Sequence, residues 1–328
     1  MVRFGVIGTN WITEAFIQAA RETTGFELAA VYSRTEEKAR AFADKHGANR
    51  IYTDIGQMAR SGDIDAVYIA SPNSLHAEQA VLCMEHGVHV LCEKPLASNA
   101  REVRRMTEAA SRHGVLLMEA LKSTLLPNFG VIRERLASIG RVRRYFANYC
   151  QYSSRYDAFR AGTVLNAFNP EFSNGALMDL GIYCLYPAIV LFGKPSDVKA
   201  NGFMLSSGVD GEGSLLLKYE EMEGVVQYSK ISNSYVPSEI QGEEGSILID
   251  KISQPERVEI RYRDGRTEEL TVPQSANSMK YEVQEFIDLI GRGAKESAVN
   301  THARSLAVME VMDEARRQMG LIYPADRK

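Results

Sequence analysis

Three polar residues in largely apolar stretches could carry chemistry: Lys94, Asp179 and Tyr183. Lys94 follows an apolar run and precedes Pro95, and an ammonium group in such surroundings is costly unless it has a partner or a function. Asp179 and Tyr183 are four residues apart, a spacing that places both on one face of a helix. An ammonium beside a phenol lowers the pKa of the phenol toward the working pH, so a lysine and a tyrosine that act together are suited to proton transfer.

Each of these features has a structural alternative. Glu93, next to Lys94, could form a surface salt bridge with a neighbouring helix. Asp179 and Tyr183 could bond to each other and so satisfy two polar groups in a core. The residue types alone leave both alternatives open.

Lys94 would be positioned by the strand before it. Residues 88–92 predict a short strand of a buried parallel sheet that runs straight into Glu93-Lys94-Pro95, and the ends of such strands open onto a ligand crevice. Pro95 fixes its own backbone and biases Lys94 toward an extended conformation. The lysine is therefore expected to point from a strand end into the crevice.

A helix would position Asp179 and Tyr183. Ser173 or Asn174 is the expected N-cap, and the apolar pattern runs on to Phe192 before a glycine ends it. An acid and a phenol on such an apolar helix indicate a buried polar site.

The first residues predict the strand, tight turn and helix that open a dinucleotide-binding unit. The strand is Val2–Ile7, and the helix shows Ile12, Phe16, Ile17 and Ala20 on one face. The expected cofactor-binding residues of the turn are Gly8, Thr9, Asn10, Trp11 and Ile12. Asn10 and Thr13 replace the second and third glycines of the usual motif, and asparagine tolerates a left-handed backbone better than most residues. A plain strand–helix turn is the alternative.

The second strand, Phe26–Tyr32, ends at Ser33-Arg34, and a helix follows at Glu36–His46. Enzymes that select NAD place an acid at this strand end, whereas a hydroxyl and a guanidinium suit the 2′-phosphate of NADP. Lys38 could extend this phosphate site. In the alternative, Ser33 and Thr35 only cap the helix.

A further strand, Asp65–Ala70, leads into Ser71-Pro72-Asn73, and a helix runs from there to about Glu85. Asn73 or Ser74 is its expected N-cap. His76 lies in the first turn of that helix, near the expected cofactor groove. A structural hydrogen bond is the alternative role for this histidine.

Four motifs in this order resemble the glucose–fructose oxidoreductase/inositol dehydrogenase family, Gfo/Idh/MocA. They are Gly8-Thr9-Asn10-Trp11-Ile12, Ser71-Pro72-Asn73-x-x-His76, Glu93-Lys94-Pro95 and Met118-Glu119-Ala120. The resemblance implies an N-terminal Rossmann domain with a doubly wound parallel sheet and a C-terminal α/β domain with a large, mostly antiparallel open sheet. It further implies that Lys94 reaches both cofactor and substrate, and that the Lys94–Pro95 peptide is cis.

A second family signature resembles the segment from Gly175 to Tyr183. It implies that Asp179 and Tyr183 complete the site with Lys94. The tyrosine is similar to that of the dihydrodiol dehydrogenase, glucose–fructose oxidoreductase and D-xylose dehydrogenase branches, whereas inositol dehydrogenases use histidine.

The strand–helix alternation stops after Glu119, so we expect two domains: residues 1–121 bind NAD(P), and residues 122–328 bind substrate and form the oligomer. The second domain begins with a helix at 128–138 and a strand at 142–152. A polar loop of about 20 residues follows, a length more often functional than idle. Its candidate substrate-binding residues are Arg155, Tyr156, Asn166 and Asn169.

Residues 197–272 predict a long series of consecutive strands that form one broad sheet. The expected strands are Val198–Phe203, Gly213–Tyr219, Gly224–Ile231, Ser238–Gly242, Ser246–Asp250, Val258–Tyr262 and Thr267–Val272. Two amphipathic helices, at about 281–290 and 301–319, close the chain. One face of the sheet would be left for a second subunit, so a homodimer or higher homo-oligomer is expected.

Composition excludes several classes of protein. The chain has 328 residues, a net charge of −4 and four well-separated cysteines. It therefore gives no indication of nucleic-acid binding, of a metal site or of an oxidising compartment. No apolar run of about 18 residues was identified, and the N-terminus reads as a strand, so we expect a cytoplasmic protein without a membrane segment.

We therefore expect an oxidoreductase that transfers a hydride between NADP, with NAD possible, and a sugar, a polyol or a related carbonyl compound. Tyr183 would be the proton donor or acceptor, Lys94 its electrostatic partner, and Asp179 would orient Lys94 or a substrate hydroxyl. The alternative is a non-catalytic NAD(P)-sensing regulator with the same fold, for which these three residues would not be needed together.

Overall fold

The computed structural model describes residues 1–327, and the chain divides into two compact units. The first unit comprises residues 1–122 together with 275–305, and the second comprises 123–274 together with the C-terminal residues from Leu306. The sequence predicted a single boundary between residues 121 and 122. The first unit ends one residue beyond that position, at Lys122, and it also includes residues 275–305, which were assigned to the second domain.

The first unit is built on six parallel strands in the order β3-β2-β1-β4-β5-β6. The strands are β1 Val2–Ile7, β2 Phe26–Tyr32, β3 Arg50–Tyr52, β4 Ala66–Ile69, β5 His89–Glu93 and β6 Leu117–Ala120. The helices between them are α1 Trp11–Ala20, α2 Glu36–His46, α3 Ile55–Arg60, α4 Asn73–Glu85 and α5 Ala100–His113. This strand order is that of the Rossmann fold, which confirms the predicted fold class.

Continuous apolar sequence explains the central strands. All four residues of β4 are buried, as expected for a parallel sheet covered on both faces. The strand β3 and the helix α3 were not predicted, because three and six residues are too few to show a clear period.

The second unit is built on an eight-stranded sheet. Its strands are β7 Val142–Cys150, β8 Asp197–Met204, β9 Asp210–Lys218, β10 Glu223–Ser229, β11 Ser238–Gly242, β12 Gly245–Ile249, β13 Val258–Tyr262 and β14 Thr267–Glu269. The remaining helices of the described chain are α6 Pro127–Arg135, α7 Tyr156–Arg160, α8 Ile182–Phe192, α9 Met279–Gly291 and α10 His302–Met319.

The strand order of this sheet is β14-β13-β12-β11-β7-β10-β9-β8. The prediction that consecutive strands are neighbours throughout was wrong at one place, because β7 lies between β10 and β11. It pairs in parallel with β10 and antiparallel with β11, and every other pair is antiparallel. The sheet is therefore two meanders on either side of β7, and mostly antiparallel as predicted.

The segment 275–305 belongs to the first unit because α9 packs on α1. The ring of Phe286 lies 5.8 Å from that of Phe4, and the side-chain oxygen of Gln284 accepts a 2.9 Å hydrogen bond from the Thr24 amide. The sequence correctly indicated an amphipathic helix here, but it did not indicate which unit that helix covers.

One apolar stretch, 170–192, meets the length and composition of a membrane span, contrary to the sequence analysis. Within this stretch, 78% of the most apolar window is buried inside the fold. It thus has the character of a core helix of a globular domain.

Candidate active site

The turn after β1 brings Gly8 and Asn10 to the end of β4. Gly8 has φ +109°, and a Cβ there would lie 2.7 Å from the Ala70 carbonyl oxygen, so glycine is required. Asn10 has φ −110°, so the backbone here is extended and does not use the tolerance of asparagine for a left-handed conformation. Its Oδ1 accepts hydrogen bonds from the amides of Ile12 and Thr13, and its Nδ2 donates to the Ala70 oxygen at 2.8 Å. Asn10 therefore replaces a glycine because it caps α1.

The neighbouring residues of this turn are accessible. Thr9 is partly exposed, and Trp11 is 66% exposed as the first residue of α1. A large exposed aromatic residue beside a glycine turn leaves room for a ligand to pack against it.

The end of β2 carries two cations. Arg34 and Lys38 are exposed, and neither side chain forms a hydrogen bond or ion pair with any other described residue. Thr35 caps α2 by accepting a hydrogen bond from the Lys38 amide, whereas the Ser33 amide donates to the Tyr52 carbonyl. The capping alternative thus holds for Thr35, and the two cations remain available to an anion.

The segment after β4 is held by a buried histidine. Ring nitrogens of His76 lie 2.9 Å from the Ser71 carbonyl oxygen and 3.0 Å from that of Pro95. Burial lowers the pKa of His76, which favours the neutral ring. Because a neutral ring donates only one hydrogen bond, it bonds one carbonyl at a time. This arrangement supports the structural role of His76 in joining two loops.

The predicted N-cap of α4 was wrong. Pro72 occupies the cap position, and Asn73 is the first helical residue. Proline has no side-chain acceptor, so the helix starts without a side-chain cap. The Ser71 hydroxyl donates instead to Gln79 in the same helix, at 2.6 Å.

The end of β5 holds Lys94 between a carboxylate and a proline. The fully buried Tyr68 donates a 2.6 Å hydrogen bond to Glu93, whose other oxygen accepts from the Lys94 amide. Glu93 therefore does not make the surface contact that the alternative required. The peptide between Lys94 and Pro95 is cis, as the resemblance implied.

Three further charged groups interact electrostatically with Glu93 or Lys94. Glu119 is buried, accepts a 2.8 Å hydrogen bond from the Leu96 amide, and has its pKa raised to about 7 by burial. Glu282 of α9 is 1% exposed, and burial raises its pKa as well. Lys122 interacts electrostatically with Glu282 and Glu93, and burial lowers its pKa.

Three carboxyl groups and two ammonium groups thus belong to one polar cluster in the first unit: Glu93, Glu119, Glu282, Lys94 and Lys122. The sequence pointed to only part of this cluster. Glu119 belongs to a quoted motif, whereas Glu282 lies more than 150 residues further along the chain, in an ordinary amphipathic helix.

In the second unit, Asp179 lies in a π-helical turn, Leu177–Gly181, that leads into α8. The argument from a four-residue spacing assumed a regular α-helix, which does not hold at Asp179. Such turns are often found at functional sites. The Asp179 carboxylate is 34% exposed and accepts a 2.7 Å hydrogen bond from Lys230, a buried residue that the sequence analysis did not select.

Tyr183 lies in the first turn of α8 and is partly exposed. Its ring packs edge-on against Tyr149 of β7 at 5.7 Å between ring centres. Tyr183 thus has one side fixed by an aromatic neighbour while remaining accessible to solvent.

The prediction that Ser173 or Asn174 caps the helical stretch before Tyr183 was wrong. The buried carboxylate of Asp210 in β9 accepts hydrogen bonds from the amides of Ala176 and Leu177, at 3.1 and 2.7 Å. A cap from a distant strand leaves no local sequence signal, which explains the wrong prediction.

The candidate substrate loop is more ordered than predicted, since it contains α7 and two short 3₁₀ turns. Arg155 and Asn166 are exposed. Tyr156 packs within an aromatic group with Phe159 and Phe168. Asn169 caps a 3₁₀ turn by accepting from the Glu171 amide, so its side chain has a structural contact.

The two units differ in how far their predicted residues lie together. In the first, Gly8, Asn10, Ser71, His76 and Lys94 lie at the carboxyl ends of β1, β4 and β5, where doubly wound sheets bind ligands. In the second, Lys230 connects Asp179 with the carbonyl of Ala167 in the substrate loop.

A Rossmann sheet with a glycine turn, two exposed cations at the second strand and a lysine at the fifth defines a dinucleotide-binding oxidoreductase. Residues 2–121 match the family described as an oxidoreductase family with an NAD-binding Rossmann fold, and residues 132–248 match the GFO/IDH/MocA C-terminal domain. The chain belongs to the Gfo/Idh/MocA family, as the sequence motifs indicated, and is a dehydrogenase/reductase that acts on CH–OH groups.

Among known proteins, the scyllo-inositol 2-dehydrogenase (NADP(+)) IolU of Bacillus subtilis is 60% identical over the full length of both chains. The trans-1,2-dihydrobenzene-1,2-diol dehydrogenase of Xenopus laevis is 31% identical, covering 98% of this chain and 99% of the relative. The 3-ketoreductase KijD10 of Actinomadura kijaniata, solved with NADP and TDP-benzene, shares the fold with a TM-score of 0.84 and 23% identity, over 97% of this chain and 98% of that one.

Proposed function

We propose that this protein is an NADP-dependent dehydrogenase of a cyclic polyol, with scyllo-inositol as its substrate. The observation that carries the proposal is the 60% identity, over the whole chain, with a relative of that name. Tyr183 differs from the histidine that the family resemblance associates with inositol dehydrogenases, so substrates of the tyrosine-containing branches are included in the test below.

The residues at the ends of β1 and β2 fit NADP. Gly8 keeps the first turn close to β4, and the exposed cations Arg34 and Lys38 match a 2′-phosphate in charge and position along the chain. No carboxylate occupies the position of Ser33, where it would repel that phosphate. When bound, NADP⁺ supplies the acceptor for the hydride that leaves the substrate carbon.

The side chains of the protein handle the proton of the reacting hydroxyl. Tyr183, as phenolate, accepts that proton while the carbon–hydrogen bond breaks, and the ammonium of Lys94 stabilises the negative charge on oxygen. Asp179 accepts a hydrogen bond from a substrate hydroxyl and so orients the ring. Arg155, Tyr156 and Asn166 contribute further polar contacts to the polyol, and Asn169 shapes their loop.

Turnover of the purified protein tests this function. Formation of NADPH from NADP⁺, or of NADH from NAD⁺, is followed with scyllo-inositol, myo-inositol, D-xylose or a trans-dihydrodiol as substrate. We expect the highest kcat/KM with scyllo-inositol and NADP⁺. If the protein prefers the dihydrodiol or D-xylose, its substrate is that of another branch of the family. If it turns over no cyclic polyol, the proposal is refuted.

A further inference from the structure

Lys230 is a buried lysine to which the reaction proposed above assigns no step. Its side chain is 3% exposed, and its backbone amide continues the pairing of β10 with β9 by donating to Gly211. A buried ammonium is stable only when its charge and its donors are satisfied.

The ammonium of Lys230 has three partners. It donates hydrogen bonds to Asp179 Oδ2 at 2.7 Å and to the Ala167 carbonyl oxygen at 3.1 Å, and it lies 5.1 Å from the centre of the Phe168 ring. Two of these partners belong to the candidate substrate loop, and the third is the carboxylate proposed to bind substrate. Lys230 therefore joins the two parts of the second unit that the proposed function needs.

The two ends of the Lys230–Asp179 pair differ in exposure. The Asp179 side chain is 34% exposed, whereas that of Lys230 is almost fully enclosed. Lys230 thus holds the carboxylate from the interior side and leaves part of it accessible. A charge-assisted hydrogen bond of this length restricts the rotamers of the carboxylate and favours its ionised form.

The other polar groups packed against this turn are already committed. Asp210 is buried, and its two oxygens accept hydrogen bonds from the amides of Ala176 and Leu177. Burial raises the pKa of Asp210 to about 6, and the charge of Lys230 acts on it in the opposite direction without a hydrogen bond between the two. Tyr228 of β10 is buried and donates to the sulfur of Met319, and Tyr149 of β7 packs on Tyr183. Asp179 is therefore the acidic group with which Lys230 pairs directly.

We propose that Lys230 is a positioning residue that keeps the Asp179 carboxylate ionised, oriented and linked to the loop at 166–169. The inference rests on the proposed function, in which Asp179 accepts a hydrogen bond from the polyol. Lys230 itself need not touch the substrate, because its effect is transmitted through Asp179 and the Ala167 carbonyl.

Kinetics of Lys230→Met, which keeps the length of the side chain but removes the charge, test the role in the reaction. We expect kcat/KM for scyllo-inositol to fall by about 10²-fold, because misplacing a positioning group costs this much, with KM raised and the affinity for NADPH unchanged. The pH below which activity is lost should move upward, since the carboxylate has lost its cation. In an Asp179→Asn background, Lys230→Met should cause little further loss.

A measurement without substrate separates this inference from the proposed function. The carboxyl carbon of Asp179 is followed by ¹³C NMR, with its signal assigned by its disappearance in Asp179→Asn. Its titration midpoint should be higher in Lys230→Met than in the wild-type protein, and Lys230→Arg, which retains a cation, should stay closer to the wild type. If scyllo-inositol is not oxidised by the wild-type protein, the proposed function fails, and this titration still decides the role of Lys230.

Lys194→Met is the matched control, because it removes a lysine from an exposed ion pair with Glu310 in the same unit. It should change neither the Asp179 titration nor kcat/KM. An Asp179 midpoint that is the same in Lys230→Met and in the wild-type protein would overturn the inference. If Lys230→Met does not fold, two other variants are measured instead. Lys230→Arg is compared with the wild-type protein, and the neutral double variant Lys230→Met/Asp179→Asn is compared with Asp179→Asn. A double variant that folds with the same kcat/KM as Asp179→Asn supports the inference, and a further large loss contradicts it.

Discussion

The candidate functional side chains of this protein have specific polar neighbours. Lys94 follows a glutamate that is bonded to a buried tyrosine, and Asp179 is bonded to a buried lysine. Burial strengthens such charge interactions because less water screens them. The chemical character of each residue therefore depends on neighbours that lie far away in the sequence.

Replacing Tyr183 tests the proton-transfer role directly. Tyr183→Phe should lower kcat by ~10²–10⁴-fold, the contribution of a positioned acid or base, while the affinity for NADPH is kept. Steady-state kinetics and a cofactor titration check this. A Tyr183→Phe enzyme with nearly normal kcat would remove the phenol from the mechanism.

Replacing Lys94 tests whether it acts with Tyr183. Lys94→Met should lower kcat to a similar extent, and the double variant should lose much less than the product of the two single losses, because residues that act as one unit are non-additive. A purely structural lysine predicts a changed melting temperature with turnover within a few-fold of normal. Measuring kcat and the melting temperature for all three variants decides between these outcomes.

The cofactor preference should depend on the residues after β2. NADPH should stabilise the protein against heat more than NADH at equal concentration, with ~2.7 kcal/mol of added stability at ~100 times Kd. Ser33→Asp combined with Arg34→Ala should reverse this order, because a carboxylate repels a 2′-phosphate and binds a ribose hydroxyl. Greater stabilisation of the wild type by NADH would contradict the assignment.

The raised pKa of Glu119 makes stability depend on pH. Burial raises this pKa from 4.5 to about 7, so the folded protein binds the proton more tightly than the unfolded chain. The favourable contribution is complete below about pH 4.5 and is lost as the pH rises through 7. The difference corresponds to ~3 kcal/mol.

Glu119→Gln removes this titration and still offers an oxygen to the Leu96 amide. The difference in the free energy of unfolding between the variant and the wild type should therefore shift in favour of the variant from pH 5 to pH 8. The shift should reach up to ~3 kcal/mol. Denaturant unfolding at the two pH values measures this. Glu78→Gln, a similar change at an exposed position of α4, is the control and should show no such difference.

At the scale of elements, the sequence predicted most helices and strands to within a few residues. Strands β1, β2, β11 and β13 and helix α2 have the predicted bounds, because alternation, apolar runs and turn residues mark them locally. The π-helical turn at Asp179 was missed, since one extra residue in a helical turn leaves no pattern. The contacts of Lys230 were missed because they depend on how strands and loops pack.

The N-terminal cap that Asp210 provides for the helical stretch before Tyr183 can be tested. Asp210→Ala removes two hydrogen bonds from the buried amides of Ala176 and Leu177, which should lower the free energy of unfolding by ~2–6 kcal/mol, given ~1–3 kcal/mol for each unsatisfied group. Chemical denaturation measures the loss. Asp197→Ala, at an exposed position of the neighbouring strand β8, is the control, and an equal effect in both variants would rule out the capping role.

At the scale of the whole molecule, the order of motifs and the break in strand–helix alternation predicted the family and both folds. The position of β7 in the second sheet and the assignment of 275–305 to the first unit could not be predicted. Both depend on which apolar faces meet, and a strand or a helix carries the same amphipathic pattern whichever partner it covers.

The sheet of the second unit has two different faces. Tyr145 of β7 points toward α8, where its hydroxyl donates to the Cys184 carbonyl, so its neighbour Phe146 faces the other side. The strand register places Leu216, Val225 and Phe146 in one row across β9, β10 and β7. Leu216 is 53% exposed, and Phe203 of β8 is 57% exposed.

We expect this row to form the interface of at least a dimer, because contiguous exposed apolar groups on a sheet usually mark an interaction surface. Light scattering at micromolar protein should give at least twice the monomer mass of 36.5 kDa. Leu216→Glu should shift the protein toward the monomer, since it places a charge at the most exposed apolar position of the row. Ile322→Glu, at a similarly exposed apolar position outside the sheet, should leave the mass unchanged. A wild-type protein that is monomeric under these conditions would refute the expected assembly.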